Sequence, residues 1–378
     1  MRGDFSEKLL LYERHEPYRN QLRKEKSPCI MYYVGVDLHK ETSWFYIVDA
    51  QSKKYDSKNI QNKPEILKKY FEQIPKPFTL AVEATYNWYF FVDLAEQYAQ
   101  KVFLANSYEL KAFAKRHKKT DKIDARLIAH ILQKGFLPVV AIADQETRQV
   151  RELLRYRLNL VTDRSRNIFR LKALLDKLGL NSQLDFTTYK GLKSVVIEKL
   201  PGIYTRLIKN YIERITGLAQ KLTSIEKEIG TVSNLDHDMV NLMSIPGVGH
   251  FSAALIKSEI IDIARFASFN RLCAYAGLSP RVSASANKTF HGPLNTNRRK
   301  NLQWILLENV YHFIRAVPEM KERYGKLKQR KGHNTAKVVL ARNMLKIIYH
   351  VLKERRPFYS DKKEFQIQSV AAPALCGV

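Results

Sequence analysis

From residue 31 the chain reads as β-type apolar runs joined by polar turns. "YYVGVDL" (32–38) and "SWFYIV" (43–48) predict two β-strands joined by a polar turn over His39–Thr42, and a weaker run near 54–60 predicts a third. "KPEILKKYFEQI" switches to helical spacing, and Pro75 and Pro77 end that helix. "FTLAVEA" (78–84) is a continuous apolar run of the kind a fully buried strand shows, and it ends in Glu83. A helix over about 88–99, a strand at 101–105 and helices over about 107–135 follow.

From residue 145 the period changes. Val150, Leu153, Leu154, Leu158, Val161, Ile168, Leu171, Leu175 and Leu178 recur at helical spacing, with arginines on the other faces. A linker over about 181–202 closes on Pro201-Gly202. In the next helix Ile208, Tyr211, Ile215, Leu218, Leu222, Ile225 and Ile229 alternate steps of three and four, a coiled-coil stripe that suits an intramolecular hairpin and a dimer equally. "SIPGVGHFSAALIKSEI" (244–260) has the sequence of a helix-hairpin-helix turn; its glycines Gly247 and Gly249 free backbone N–H groups for a phosphate. "RLCAYAGLSP" predicts a helix, "RVSASANKTFHGPLNTNRRKN" a polar segment with five basic residues and no acid, and helices over about 301–317 and 334–354 close the fold.

The expected fold class is α/β plus α. The strand and helix order β-β-β-α-β-α-β-α is that of a ribonuclease H-like sheet, in which an antiparallel meander continues into parallel strands through crossover helices. Central coiled-coil helices and a mostly helical C-terminal domain follow. The expected divisions are a charged extension at 1–30, the α/β domain at 31–140, the coiled coil at 141–238, the C-terminal domain at 239–356 and a tail at 357–378.

Charge narrows the partner. The chain of 378 residues has 64 Lys and Arg against 37 Asp and Glu, a net charge of +27, which points to a polyanion: nucleic acid first, an anionic membrane surface second. No apolar run of membrane-spanning length occurs, and the N-terminal stretch is too charged for a signal peptide. Cys29, Cys273 and Cys376 are too far apart for a disulfide framework or a zinc site. The expectation is a cytoplasmic, nucleoid-associated protein that handles nucleic acid, with no membrane partner.

Against that background the stretch "KKTDKIDAR" (118–126) is unusual. Asp121 and Asp124 are the only acids among seven lysines and arginines between Lys111 and Arg126. Three apart on a helix, they share a face. Asp37 stands in the first strand and Glu83 ends the buried one. Four carboxylates suit a hard cation such as Mg²⁺, and two ions together can clamp the attacking and leaving oxygens of a phosphodiester. Lys118 and Lys119 then hold the nucleic-acid backbone. Taken singly the acids have plainer readings: Asp121 as a helix cap, Asp124 as a partner of the helix dipole, Asp37 and Glu83 as surface groups.

"YVGVDLHKETSWFYIVD", "VEATYNWYFFVDLAE" and "KRHKKTDKIDARLIA" resemble the N-terminal domain of the DEDD transposases of the IS-one-ten and IS-eleven-eleven insertion-sequence family, related to the Piv invertases. "IPGVGHFSAALIKSEIIDIARFASFNRLCAYAGLSPRVSAS…NRRKNLQWIL" resembles that family's C-terminal transposase domain. The resemblance covers about 31–135 and 240–315 in matching order. It implies a bacterial RuvC-like domain with catalytic, metal-binding Asp37, Glu83, Asp121 and Asp124, two Mg²⁺ per site, and a nucleophilic serine in the C-terminal domain. It also implies a noncoding bridge RNA that pairs with target and donor DNA, and dimers that join into tetramers in the synapse, one subunit supplying the carboxylates and another the serine.

The motif places the nucleophile a few residues after "YAGLSPR", which falls on Ser285, with Ser283 as the alternative because Ala286 stands where the family usually has glycine. A serine hydroxyl can attack a phosphodiester when bound cations stabilise the developing charge. Arg281, Lys288, Arg298, Arg299 and Lys300 surround this serine stretch as expected DNA contacts, and Arg148, Arg151, Arg155, Arg164, Arg166 and Arg170 on the long helix are expected RNA contacts. Tyr86, Trp88 and Tyr89 are expected in the core rather than stacked on bases. Two rival readings stay open: a structure-selective endonuclease of the Holliday-junction type, using the same carboxylates with water, and a non-catalytic nucleic-acid-binding protein.

Overall fold

The structure, a computed structural model, describes residues 31–111, 113, 120–195, 200–233, 235–285 and 288–358, with the main chain alone at 282–285 and 288–291. The expectations for the extension at 1–30, the tail from 359, and Lys118 and Lys119 lie outside the described residues. The chain divides into two compact units at Ile142/Ala143.

In the first unit β1 (Tyr32–Leu38), β2 (Thr42–Val48) and β3 (Lys54–Gln61) form an antiparallel meander. After α1 (Pro64–Gln73), β4 (Phe78–Glu83) pairs parallel to β1; after α2 (Trp88–Ala95), β5 (Lys101–Ala105) pairs parallel to β4. α3 (Ser107–Leu110), α4 (Asp121–Gln133) and a two-residue antiparallel strand, β6 (Val139–Val140), complete a sheet of order β3-β2-β1-β4-β5-β6. This is the expected antiparallel meander followed by parallel strands. Helix α2 ends four residues short of its predicted limit, and β6 was not predicted: two residues carry no period.

The period of two in β1 sorts its side chains between two packed faces. Val34, Val36 and Leu38 join Phe45, Ile47, Leu80, Val82 and the α1 and α2 residues Leu67, Phe71 and Phe91 in one core. Gly35 is on the other face, under α4. A Cβ there would meet Ala125 O at 2.2 Å and Ala129 N at 2.3 Å, so only glycine lets the helix backbone rest on the strand. Ala125 and Ala129, one turn apart and fully buried, are the matching small positions on α4.

The second unit opens with α5 (Gln145–Lys177), capped by Asp144, whose carboxylate accepts the Thr147 N–H at 2.7 Å. A short helix, α6 (Tyr189–Lys193), interrupts the connection to α7 (Gly202–Val232). Ile208, Ile215, Leu222 and Ile229, seven apart, are all buried. Ile208 and Ile215 pack with Leu171 and Leu175, Ile229 belongs to the core that holds Leu154, and Arg157 pairs with Glu226 at 2.7 Å. The coiled-coil stripe therefore finds its partner in the same chain, as a helical hairpin.

Next come α8 (His237–Met243), α9 (His250–Ile260), a 3-10 turn at Ile263–Arg265, and α10 (Phe269–Tyr275). Strands β7 (Pro280–Ser285) and β8 (Lys288–Leu294) precede α11 (Lys300–Ala316), α12 (Pro318–Lys331) and α13 (His333–Glu354). α9 is buried nearly all round and packs with Leu306, Phe313, Leu345 and Ile348 of α11 and α13. Two elements depart from expectation. The polar segment after 280 is a β-hairpin, paired only with itself and so without the apolar alternation that a core-facing strand needs. Helix α12 was not predicted: its apolar stripe is short, Met320, Tyr324 and Leu327, only partly buried against the core and set among many charged residues. Among the described residues no helix is long and apolar enough to cross a membrane.

Candidate active site

In the first unit three elements converge on one cavity. β1 and β4 are parallel neighbours with Val36 opposite Val82, so Asp37 and Glu83 stand side by side at their carboxyl ends. Asp37 follows Gly35 on the face that carries α4, and the helix seated there brings Asp121 and Asp124 in its first turn. A cavity of about 330 Å³ is lined by Asp37, Leu38, His39, Glu83, Thr85, Asp121 and Asp124. The cap of α4 is Thr120, whose hydroxyl accepts from Ile123 N at 3.4 Å. Asp121 is not the cap; it stands next to it in the first turn, with Asp124 three residues on.

Asp37 is buried. Burial pushes its carboxyl up to about 6; the nearby His39 opposes the shift, while Glu83, Asp124 and Asp121 add to it. Four carboxylates around one small cavity repel one another until cations or protons neutralise them. Their oxygens, with an imidazole nitrogen among them, form a donor set that a divalent cation fits: one atom each from Asp37, His39 and Asp121 lie within 4.8 Å of one another.

His39 was missed by the sequence reading. Its Nε2 lies 3.2 Å from Asp37 Oδ2 and 3.3 Å from Asp121 Oδ1. The signal was present: residues i and i+2 at a strand end share a face, and Asp37 and His39 are two apart. Tyr86, expected in the core, is instead 78% exposed on the loop after Glu83. Trp88 and Tyr89 are half-buried and meet edge to face at 4.6 Å.

In the second unit Ser283 and Ser285 stand on β7, opposite Phe290 and Lys288 of β8 in register. Arg281 bonds the Thr296 hydroxyl. Arg298, half-buried, donates to Asn295 O at 3.1 Å, and its side chain fills the space over Gly277. Arg299 donates to the Tyr275 hydroxyl at 2.7 Å and faces the buried Glu259 at 3.7 Å; Lys300 is exposed. Gly247 adopts φ +85°, and a Cβ there would meet His312 Cβ at 2.8 Å, so close packing on α11 already requires the glycine. Gly249 is the N-cap of α9, with open space around its Cα.

The helical arginines separate. Arg148 and Arg151 are buried; Arg151 Nε donates to Ser258 O at 2.7 Å. That corrects their expected role as RNA contacts, since neither offers an exposed guanidinium. Their i, i+3 spacing puts both on the core side of α5. Arg155 bridges Glu152 at 2.9 Å and Glu259 at 3.7 Å, and Arg164 donates to Thr187 O. Arg166 and Arg170 are exposed, Arg166 pairing with Asp163 at 3.3 Å.

Two family models match the chain in the order of its domains. One, DEDD_Tnp_IS110, described as "Transposase", matches residues 34–179, and the other, described as "Transposase IS116/IS110/IS902 family", matches residues 239–325; together they span more than half of the chain. The chain belongs to the IS110-type transposase family. It is accordingly a DNA transposase/recombinase. Among the relatives of this transposase, that for insertion sequence element IS1111A of Coxiella burnetii is 26% identical over 263 residues, 68% of this chain and 72% of that one. The transposase for insertion sequence element IS1328 of Yersinia enterocolitica is 24% identical over 73% of this chain and 81% of its own. The pilin gene-inverting protein of Moraxella bovis is 26% identical over 74% and 81%.

Proposed function

We propose that this transposase is an RNA-guided, site-specific recombinase of a bacterial insertion sequence. It cleaves and rejoins donor and target DNA through a RuvC-like carboxylate site that binds Mg²⁺ and a serine nucleophile. The observation that carries the reading is the gathering of Asp37, Glu83, Asp121 and Asp124 around one cavity at the ends of two parallel strands. Divalent cations bound there would neutralise the charge that builds up on a phosphodiester under attack. The chain's own residues set up that chemistry. Gly35 seats α4 so that its two aspartates face the strand ends, and burial makes the charge on Asp37 costly, a cost that a bound cation would offset.

In this reading Ser285, or Ser283, attacks phosphorus through Oγ. A phosphoserine ester forms, the sugar oxygen leaves and takes up a proton, and a later sugar hydroxyl reverses the exchange. Ester exchange conserves the bond energy that rejoining needs. Arg281, Lys288, Arg298, Arg299 and Lys300 stand close in sequence to the serines and are proposed to hold DNA phosphates, as are Lys118, Lys119 and the Gly249 N–H group. Arg155, Arg164, Arg166 and Arg170 are proposed to hold the bridge RNA, whose pairing supplies target and donor specificity. The RNA and the assembly into dimers and tetramers rest on the family resemblance alone.

The test is a denaturing gel of protein, co-purifying RNA, Mg²⁺ and labelled element-junction DNA. A covalent protein–DNA adduct lost only in Ser285→Ala supports the reading and fixes the nucleophile. Asp37→Ala and Asp124→Ala are expected to abolish cleavage while RNA binding stays near wild type. Cleaved DNA with free ends and no adduct in any lane would favour the water-using endonuclease instead.

A further inference from the structure

The carboxylates supply oxygen donors alone, yet the cavity wall also holds a nitrogen. We infer that His39 is a metal ligand of this cavity, giving it a mixed nitrogen–oxygen donor set that favours Mn²⁺ and Co²⁺ over Mg²⁺. The inference rests on the carboxylate reading above and adds to it a residue and a metal preference.

The spacing of donors is the first argument. His39 Nε2 stands 3.2 Å and 3.3 Å from oxygens of Asp37 and Asp121. A charge-assisted hydrogen bond closes to about 2.7–2.9 Å. Neighbouring ligands of an octahedral ion with bonds of about 2.1 Å are about 3 Å apart. The contacts match the edges of such a coordination polyhedron. All three donor atoms lie within 4.8 Å of one another, which one ion can span.

The supporting layer is the second argument. The carbonyl of His39 accepts from Asn62 Nδ2 and from Asn87 Nδ2, both at 2.8 Å, and its N–H donates to Thr42 O at 3.1 Å. Each asparagine is itself oriented: Ser43 Oγ donates to Asn62 Oδ1 at 2.5 Å, and Thr85 Oγ1 to Asn87 Oδ1 at 2.8 Å. Side chains arriving from β2, from the end of β3 and from the loop after β4 thus fix the main chain of a turn residue. The layer holds the Cα of His39 at the mouth of the cavity, so that the ring starts from a fixed main-chain position. The ring is half-exposed, which leaves a way in for the ion.

The preference follows from donor chemistry. Carboxylate and water suit Mg²⁺ and Mn²⁺ alike, whereas imidazole adds affinity along the series from Mn²⁺ through Co²⁺ to Zn²⁺ and little for Mg²⁺.

The test uses the full chain and no DNA. Mn²⁺ is titrated and followed by electron paramagnetic resonance, with Mg²⁺ as competitor, and the bound ion is examined by electron spin-echo modulation for coupling to ¹⁴N. Wild type is expected to show the nitrogen coupling. In His39→Gln the coupling disappears, Mn²⁺ affinity falls about tenfold or more, and Mg²⁺ affinity changes much less. Mn²⁺ bound to wild type without nitrogen coupling, and as tightly in His39→Gln, would overturn the inference and leave the carboxylate site standing. Mn²⁺ that fails to bind wild type, or binds regardless of Asp37→Asn, would remove both. The spectrum of wild type needs no variant, so a folding defect cannot blur the outcome.

Discussion

Asp37 closes a buried strand with Glu83, Asp121 and Asp124 around its cavity, and its carboxyl is pushed up to about 6, mainly by burial. The unfolded chain ionises near the ordinary carboxylate value. Below that value both states are protonated and Asp37 costs nothing. As pH rises toward 6 the unfolded state gains by ionising while the folded state does not, so stability is lost across the window from about 4 to 6 and stays lost above it. A shift of about two units corresponds to about 3 kcal/mol. Without divalent cations, Asp37→Asn is expected to unfold at higher temperature than wild type at pH 7.5 and at an equal temperature at pH 4. Adding Mn²⁺ or Mg²⁺ should raise wild type and leave the variant behind; calorimetry in chelator and in metal reads both. A variant no more stable than wild type at pH 7.5 would mean the carboxyl is not strained by its surroundings.

At the scale of elements, α4 owes its place to Gly35. Gly35→Ala drives a methyl group into the main chain at Ala125 and Ala129, where no side chain can yield. The helix must lift, and Asp121 and Asp124 with it. The expected result is a loss of about 2 kcal/mol or more in stability, and a larger loss of Mn²⁺ affinity than at any exposed position of α4 other than Asp121, read by titration. The second unit has its own junction. Glu259, 2% exposed on α9, faces Arg155 of α5 and Arg299 at the start of α11, with the buried Arg151 close by. Glu259→Gln leaves those cations without their anion and is expected to cost about 3 kcal/mol in denaturant unfolding; replacing Arg155 as well should recover part of it. These junctions were hardly legible in the sequence, whereas the elements they join were. Apolar runs showed β1, β2 and β4, and helical and heptad spacing showed α5 and α7, while β3, with no buried residue, left only a weak run. Gly35 and Ala125 read as unremarkable small residues until their backbones are in contact. Arg148 and Arg151 read as RNA contacts because burial of an arginine is decided by its partners, not by its period. The grouping of the four carboxylates could be read from chain order and strand ends; His39, two residues beyond Asp37, carried a weaker signal because it falls just past the last strand residue.

At the scale of the whole molecule, the +27 charge sets the terms of encounter with nucleic acid. Binding of mixed-sequence duplex should be strongly salt-dependent, with log K against log salt falling at a slope of about −5 or steeper if six or more phosphates are neutralised. Fluorescence anisotropy across a salt series measures it, and a slope near −1 would show that the charge serves another end. The seat of α4 has a bearing on this as well. Because the helix is positioned by main chain resting on main chain, the groups on its outer face, Lys122 and Arg126 among them, take no part in holding it. That surface can be rewritten, basic to neutral or to aromatic, without shifting the carboxylates beneath it. In the proposed function the carboxylates do the cutting on one side of this helix, and its basic outer face is left free for a designer to rewrite while they stay in register.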